Sequence, residues 1–160
     1  MKEEDIIDDI KILCTGDLHL GRHPSGIPEE LDDQIYSPAQ IWIETAKKAV
    51  EEGVDAVVLT GDVLDRRNKY YEAFGDFEKG IKTLHSNGIP SYGVSGNHDF
   101  DVLPGLVDNL ARYDFHLLGR RGEWGSAYLK SAGETVLKLF GWSYPERHVN
   151  RNPVNELETG

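Results

Sequence analysis

Three short apolar runs, each breaking at a glycine into a cluster of polar residues, constrain this chain more than any other feature. Ile10 to Thr15 leads into Gly16-Asp17-Leu18-His19, and Val54 to Thr60 into Gly61-Asp62-Val63-Leu64-Asp65. Ser91 to Ser95 leads into Gly96-Asn97-His98-Asp99. Apolar runs of this length bounded by glycine read as buried strands. Helical patterns separate them. Ser37 is placed to cap a helix with Pro38 at its first position, and Ala39, Trp42, Ile43, Ala46, Ala49 and Val50 share one face before Gly53 ends it. A second helix runs from Tyr70 to Asn87 with a stripe of Phe74, Phe77, Ile81 and Leu84, although Gly75 and Gly80 lower its propensity. Strands alternating with helices predict right-handed crossovers and a parallel sheet, the α/β class.

The rest of the chain is less periodic. Leu106 to Tyr113 reads as helix, Phe115 to Leu118 as strand, and Ser126 to Leu129 with Thr135 to Phe140 as a hairpin or sheet edge. Residues 10–144 are read as one domain, after an acidic segment (1–9) and before a loosely ordered tail (145–160). The 160 residues suffice for a core without disulfides, and Cys14 is the only cysteine, so an intrachain disulfide is excluded and a cysteine-based zinc site is not expected. The longest apolar stretch, Ala56 to Leu59, is far short of the roughly 18 residues of a spanning helix. The N-terminus is acidic where a signal peptide would be basic, so a cytoplasmic location and no membrane partner are expected. Seventeen Lys and Arg against 28 Asp and Glu give a net charge of −11, which opposes loose binding to nucleic acid unless local basic clusters offset it.

The polar strand ends carry the chemistry. In an open parallel sheet, ligands bind beyond the carboxyl ends of the strands. Neighbouring strands lie about 4.8 Å apart, so Asp17, His19, Asp62 and Asn97 are expected within reach of one ion. Each motif alone is an ordinary turn or helix cap. Together they would form an uncompensated polar cluster unless a ligand fills it. Oxygen donors mixed with imidazole suit manganese, iron or zinc.

At these residues the sequence resembles the calcineurin-like metallophosphoesterase superfamily, whose opening motifs are Asp-x-His, Gly-Asp-x-x-Asp and Gly-Asn-His-Asp. The stretch Thr15-Gly16-Asp17-Leu18-His19-Leu20-Gly21-Arg22 is most similar to DNA-repair exonucleases of the SbcD type. The resemblance implies a layered α/β/β/α fold and two divalent metal ions, most often manganese. It implies that Asp17 and His19 bind the first metal, that Asp62 bridges both, and that Asn97 binds the second. His98 would act as general acid or charge stabiliser over the phosphate, oriented by Asp99. It further implies DNA as substrate and a coiled-coil ATPase subunit as partner.

The sequence departs from the family downstream. Members supply one further lone histidine and then a Gly-His-x-His pair, whereas only His116 and His148 occur here. His116 reads as a core or edge histidine and His148 as a tail residue. The second sheet is therefore expected to be incomplete, and the metal content one ion or none. The chain reads as the front part of such a domain, either truncated or completed by another polypeptide, and exposed sheet would then favour a homodimer or aggregation. Arg22, His23, Arg66 and Arg67, with Lys69, follow the first two motifs and are candidates to bind a phosphodiester backbone, with plain solvated loops as the alternative. Trp124, Trp142 and Tyr144 suit packing better than base stacking. The rival functions are a small-ester phosphatase or phosphodiesterase, and a catalytically incomplete domain.

Overall fold

Four parallel strands in the order β1-β2-β3-β4 organise the chain: β1 (Ile12–Thr15), β2 (Ala56–Leu59), β3 (Ser91–Gly93) and β4 (Phe115–Leu117). The computed structural model describes residues 9–22, 37–65, 70–131 and 134–158. Thr15 pairs with Leu59 and Leu59 with Gly93, so the first three strands finish at one level. Three helices alternate with them: α1 (Pro38–Glu51), α2 (Tyr70–Ser86) and α3 (Leu103–Leu110). An antiparallel hairpin, β5 (Trp124–Ser131) and β6 (Glu134–Trp142), makes a second sheet of two strands among the described residues.

Local chemistry accounts for most of the boundaries. Ser37 Oγ accepts the Gln40 N–H at 3.1 Å, with Pro38 following the cap. Gly53 takes a left-handed φ of 59° and donates to Val50 O, ending α1. Two differences from the sequence reading have tertiary causes. β1 was expected to be buried, but it is an outer strand of the four and Cys14 is exposed. α3 begins at Leu103 rather than Leu106, because the turn after His98 feeds straight into it: the Val102 and Leu103 N–H groups donate to Asp99 O.

The layers follow from alternation along the strands. Val57 and Leu59 enter a core with Trp42, Ala46 and Ala49 of α1, Phe77, Ile81 and Leu84 of α2, and Leu103, Leu106 and Leu110 of α3. Gly80 belongs there because a Cβ would overlap the Trp42 indole, whose Nε1 donates to Phe77 O at 3.1 Å. The residue that weakens α2 in isolation is the one that lets α1 approach it. Ala56 and Tyr92 face the other way, onto Leu129, Ala127, Leu137 and Leu139 of the hairpin. The result is a layer of helices, a parallel sheet and a hairpin sheet. No helix among the described residues is long and apolar enough to cross a membrane.

Beyond β6, a 3-10 turn at Pro153–Glu156 is tied back to the hairpin base: Trp124 Nε1 donates to Pro153 O and Arg151 Nη2 to Gly122 O, both at 2.8 Å.

Candidate metal centre

The β1–β2 ladder does not stop where the strands do. Thr60 N–H donates to Thr15 O (2.8 Å), Asp17 N–H to Gly61 O (2.9 Å), His19 N–H to Asp62 O (3.0 Å) and Leu20 N–H to Val63 O (2.9 Å). This extension forces the chain into conformations that ordinary residues avoid. Asp17, His19 and Asp62 have φ of 58°, 47° and 50°. Backbone held there costs about 1–3 kcal/mol per residue and persists where surrounding bonds over-determine it, commonly at functional sites. Glycine would be the relaxed choice at each position; each instead carries a side chain able to ligate.

Those side chains converge. One donor atom from each of Asp17, His19 and Asp62 lies within 4.8 Å of the others. His19 Nε2 lies 2.8 Å from Asp17 Oδ1, and the Asp17 side chain is 82% exposed. His19 Nδ1 is buried with no hydrogen-bond partner among the described residues. Two carboxylates this close repel, and an orphaned buried imidazole nitrogen is unfavourable. A divalent cation would relieve the repulsion, and two carboxylates with an imidazole are ligands of the kind such ions take, so the donor set fits one.

The third tip is locked against the second. Asp62 Oδ1 accepts the His98 N–H at 2.8 Å. Gly96 must be glycine, since a Cβ would overlap the Asp62 carboxylate. Asp99 is fully buried, and its Oδ2 accepts the N–H groups of Val63 (2.8 Å) and Leu64 (3.3 Å) while Oδ1 accepts that of Gly96 (2.7 Å). Burial pushes its carboxyl above the usual carboxylate range, opposed by those three donors. The resemblance implied that Asp99 orients the His98 ring. In the structure both oxygens accept backbone N–H groups, which ties the loop carrying His98 to the stretch after Asp62.

Asp99→Ala strands these donors in the interior, where a lost hydrogen bond costs about 1–3 kcal/mol per group. The variant is expected to lose about 3 kcal/mol in urea unfolding, and an unchanged midpoint would show the clamp to be idle.

The His98 ring stands edge-on to His19, with centroids 4.8 Å apart at 87°. It therefore borders the donor cluster. Asn97, half-buried in the same loop, makes no hydrogen bond to another described residue through its amide. Arg22 is exposed next to the first tip, its N–H donating to His19 O at 3.0 Å. His23, Arg66, Arg67 and Lys69 lie outside the described residues. His116 is an edge histidine, as read: its Nε2 is 2.7 Å from Asp114 Oδ1 and its ring stacks on Tyr92 at 5.2 Å. His148 is exposed in the tail.

One contributor escaped the sequence reading. Ser143, fully buried, donates to Leu118 O (2.6 Å) and accepts the Ser95 N–H (2.9 Å), while Tyr144 N–H donates to Ser95 O (3.1 Å). The hairpin thereby holds the strand end from which Asn97 and His98 project. A serine directly after an apolar strand carries no signal of such a role.

Carboxylates and an imidazole gathered at the tips of a parallel sheet, with a second imidazole alongside, make an α/β domain with a candidate metal centre. The calcineurin-like phosphoesterase family model matches residues 10–157, and the chain belongs to that family. Family membership implies divalent metals, and the Asp17–His19–Asp62 cluster offers a place for one. The chain is 33% identical over 89 residues to the DNA double-strand break repair protein Mre11 of Aeropyrum pernix, covering 56% of this chain and 21% of that protein. It is 37% identical over 92 residues to Mre11 of Methanosarcina mazei, covering 57% and 14%. The uncharacterized metallophosphoesterase YhaO of Bacillus subtilis is 26% identical over 155 residues, covering 92% of this chain and 36% of that protein. The chain thus spans roughly a third or less of each of these relatives.

Proposed function

We propose that this domain hydrolyses phosphodiester bonds in DNA with the help of bound divalent metal, manganese being the first choice. The observation that carries the reading is the convergence of Asp17, His19 and Asp62 donor atoms within 4.8 Å at the tips of adjacent strands. Asp17, His19 and Asp62 would hold one cation, and Asp62 with Asn97 a second. When bound, such ions lower the pKa of a water and neutralise phosphoryl charge. The chain's own residues do the rest. His98, next to the cluster and fixed through its backbone to Asp62, donates a proton to the leaving oxygen. Arg22, with His23, Arg66 and Arg67, supplies positive charge to the phosphate chain. The relatives named for DNA double-strand break repair support DNA over a small ester. A coiled-coil ATPase subunit and a second copy of the chain are the proposed partners.

A second reading is favoured by the histidines. His116 is engaged by Asp114 and Tyr92 and His148 lies in the tail, so neither joins the cluster. On that reading the chain holds a single cation and is catalytically weak.

One comparison tests both. The purified chain is assayed with manganese on a small phosphomonoester, a small phosphodiester and single-stranded DNA, and its metal content is measured after dialysis. Turnover of the diester and DNA is expected while manganese is in excess, with about one ion per chain surviving dialysis because Asp62 and Asn97 alone hold the second loosely. Hydrolysis of the monoester alone sinks the nuclease reading, and two ions per chain would mean that other ligands complete the site.

A further inference from the structure

Next to the third strand tip lies a cleft of about 290 Å³ lined by Phe100, Arg120, Arg121, Tyr144 and Pro145, among others. It is built onto the loop that carries the candidate site. Phe100 follows His98 by two positions, and Tyr144 is anchored by its N–H to Ser95 O (3.1 Å). Its size is at the lower end of small-molecule sites, about 300–1,000 Å³, and suits one nucleotide-sized group.

The sequence Gly119-Arg120-Arg121-Gly122 gives the cleft its charge, in an unusual way. Arg121 adopts a left-handed conformation (φ 61°, ψ 27°) between two left-handed glycines. A third glycine would fit the turn without strain. The turn itself is clamped: Gly119 O accepts the Ser143 N–H (2.9 Å), and Gly122 O accepts Trp142 Nε1 and Arg151 Nη2 (both 2.8 Å). The Arg121 guanidinium makes no hydrogen bond or ion pair with another described residue. Arg120 is only loosely paired, 3.8 Å from an exposed Asp108. The chain carries a net charge of −11, yet it places a strained, rigidly mounted and unpaired arginine beside its candidate catalytic loop. The aromatic walls add the other half. Tyr144 stays 37% exposed, buttressed edge-on by Trp142 at 5.2 Å.

A guanidinium beside a partly exposed tyrosine ring is a combination that takes a phosphate and a flat base together. We propose that this cleft is the subsite for the nucleotide adjoining the phosphodiester to be cut in a single-stranded nucleic acid, with Arg121 on its phosphate and its base against Tyr144. The assignment rests on the phosphodiesterase reading and names the residues that would select a polynucleotide over a small ester.

Binding is tested by fluorescence anisotropy of the full chain with labelled oligo-dT and oligo-U in EDTA, across a salt series. Arg121→Gly is expected to weaken binding about tenfold and reduce the slope of log affinity against log salt by about 0.7, one phosphate contact on a single strand. Tyr144→Ala is expected to cost about fivefold or more. Because glycine relaxes the turn, Arg121→Gly should melt no lower than the parent, which separates lost binding from misfolding. Equal losses for both oligomers support a sugar-independent subsite, and a loss confined to oligo-dT supports one selective for DNA. Unaltered affinity in both variants, or no binding by the parent at about 100 μM, overturns the proposal. Hydrolysis of bis(4-nitrophenyl) phosphate by the parent with manganese keeps the two readings apart. If it occurs while Arg121→Gly binds normally, only the subsite fails; if it is absent, the phosphodiesterase reading fails.

Discussion

Asp62→Asn is expected to lower phosphodiester turnover by about 10³-fold or more, several kcal/mol of lost charge stabilisation, and to reduce retained metal. The substitution is informative because almost nothing else should change. The amide Oδ1 can still accept the His98 N–H that Asp62 Oδ1 accepts at 2.8 Å. Asparagine tolerates the left-handed backbone at φ 50°. What disappears is the negative charge on the side chain proposed to serve two cations. Metal analysis after dialysis, with melting curves to confirm the fold, checks the result. A variant that kept full turnover would refute the bridging role.

His98→Ala should behave differently. The His98 backbone N–H, which ties the third loop to Asp62, survives the change, and only the imidazole beside His19 is lost. Removing a general acid of this kind typically slows turnover by about 10²–10⁴. Metal content should stay near that of the parent. Loss of metal in parallel with activity would make His98 a ligand instead. Together the two variants separate holding a cation from moving a proton, roles that the motifs alone do not distinguish.

The features that were legible in the sequence are those specified by neighbours along the chain. Ser37 and Pro38 announce the start of α1 because capping is decided within one turn. The three strand tips stand out because each apolar run meets its own glycine and polar cluster. Features set by distant partners were not legible. That β1 is an outer strand depends on sheet order, which its own residues do not encode. Gly80 looks like a defect until Trp42 is seen lying on it. Asp99 reads as part of a catalytic motif, yet its carboxylate is bonded to backbone far back in the chain, at Val63 and Leu64. The left-handed backbone at Asp17, His19 and Asp62 arises from the extended β1–β2 ladder and leaves no local trace. The basic turn at Gly119–Gly122 was missed for the same reason, since its anchors come from Trp142, Ser143 and Arg151.

The buried Asp99 carboxylate has a consequence for how the centre comes apart. One side chain grips backbone on either side of it, from the stretch after Asp62 and from the start of the Asn97–His98 loop. Neither segment can drift while the other keeps its geometry. Two of the three tips thus share one fastening, and a change that undoes it is felt on both sides of the centre at once.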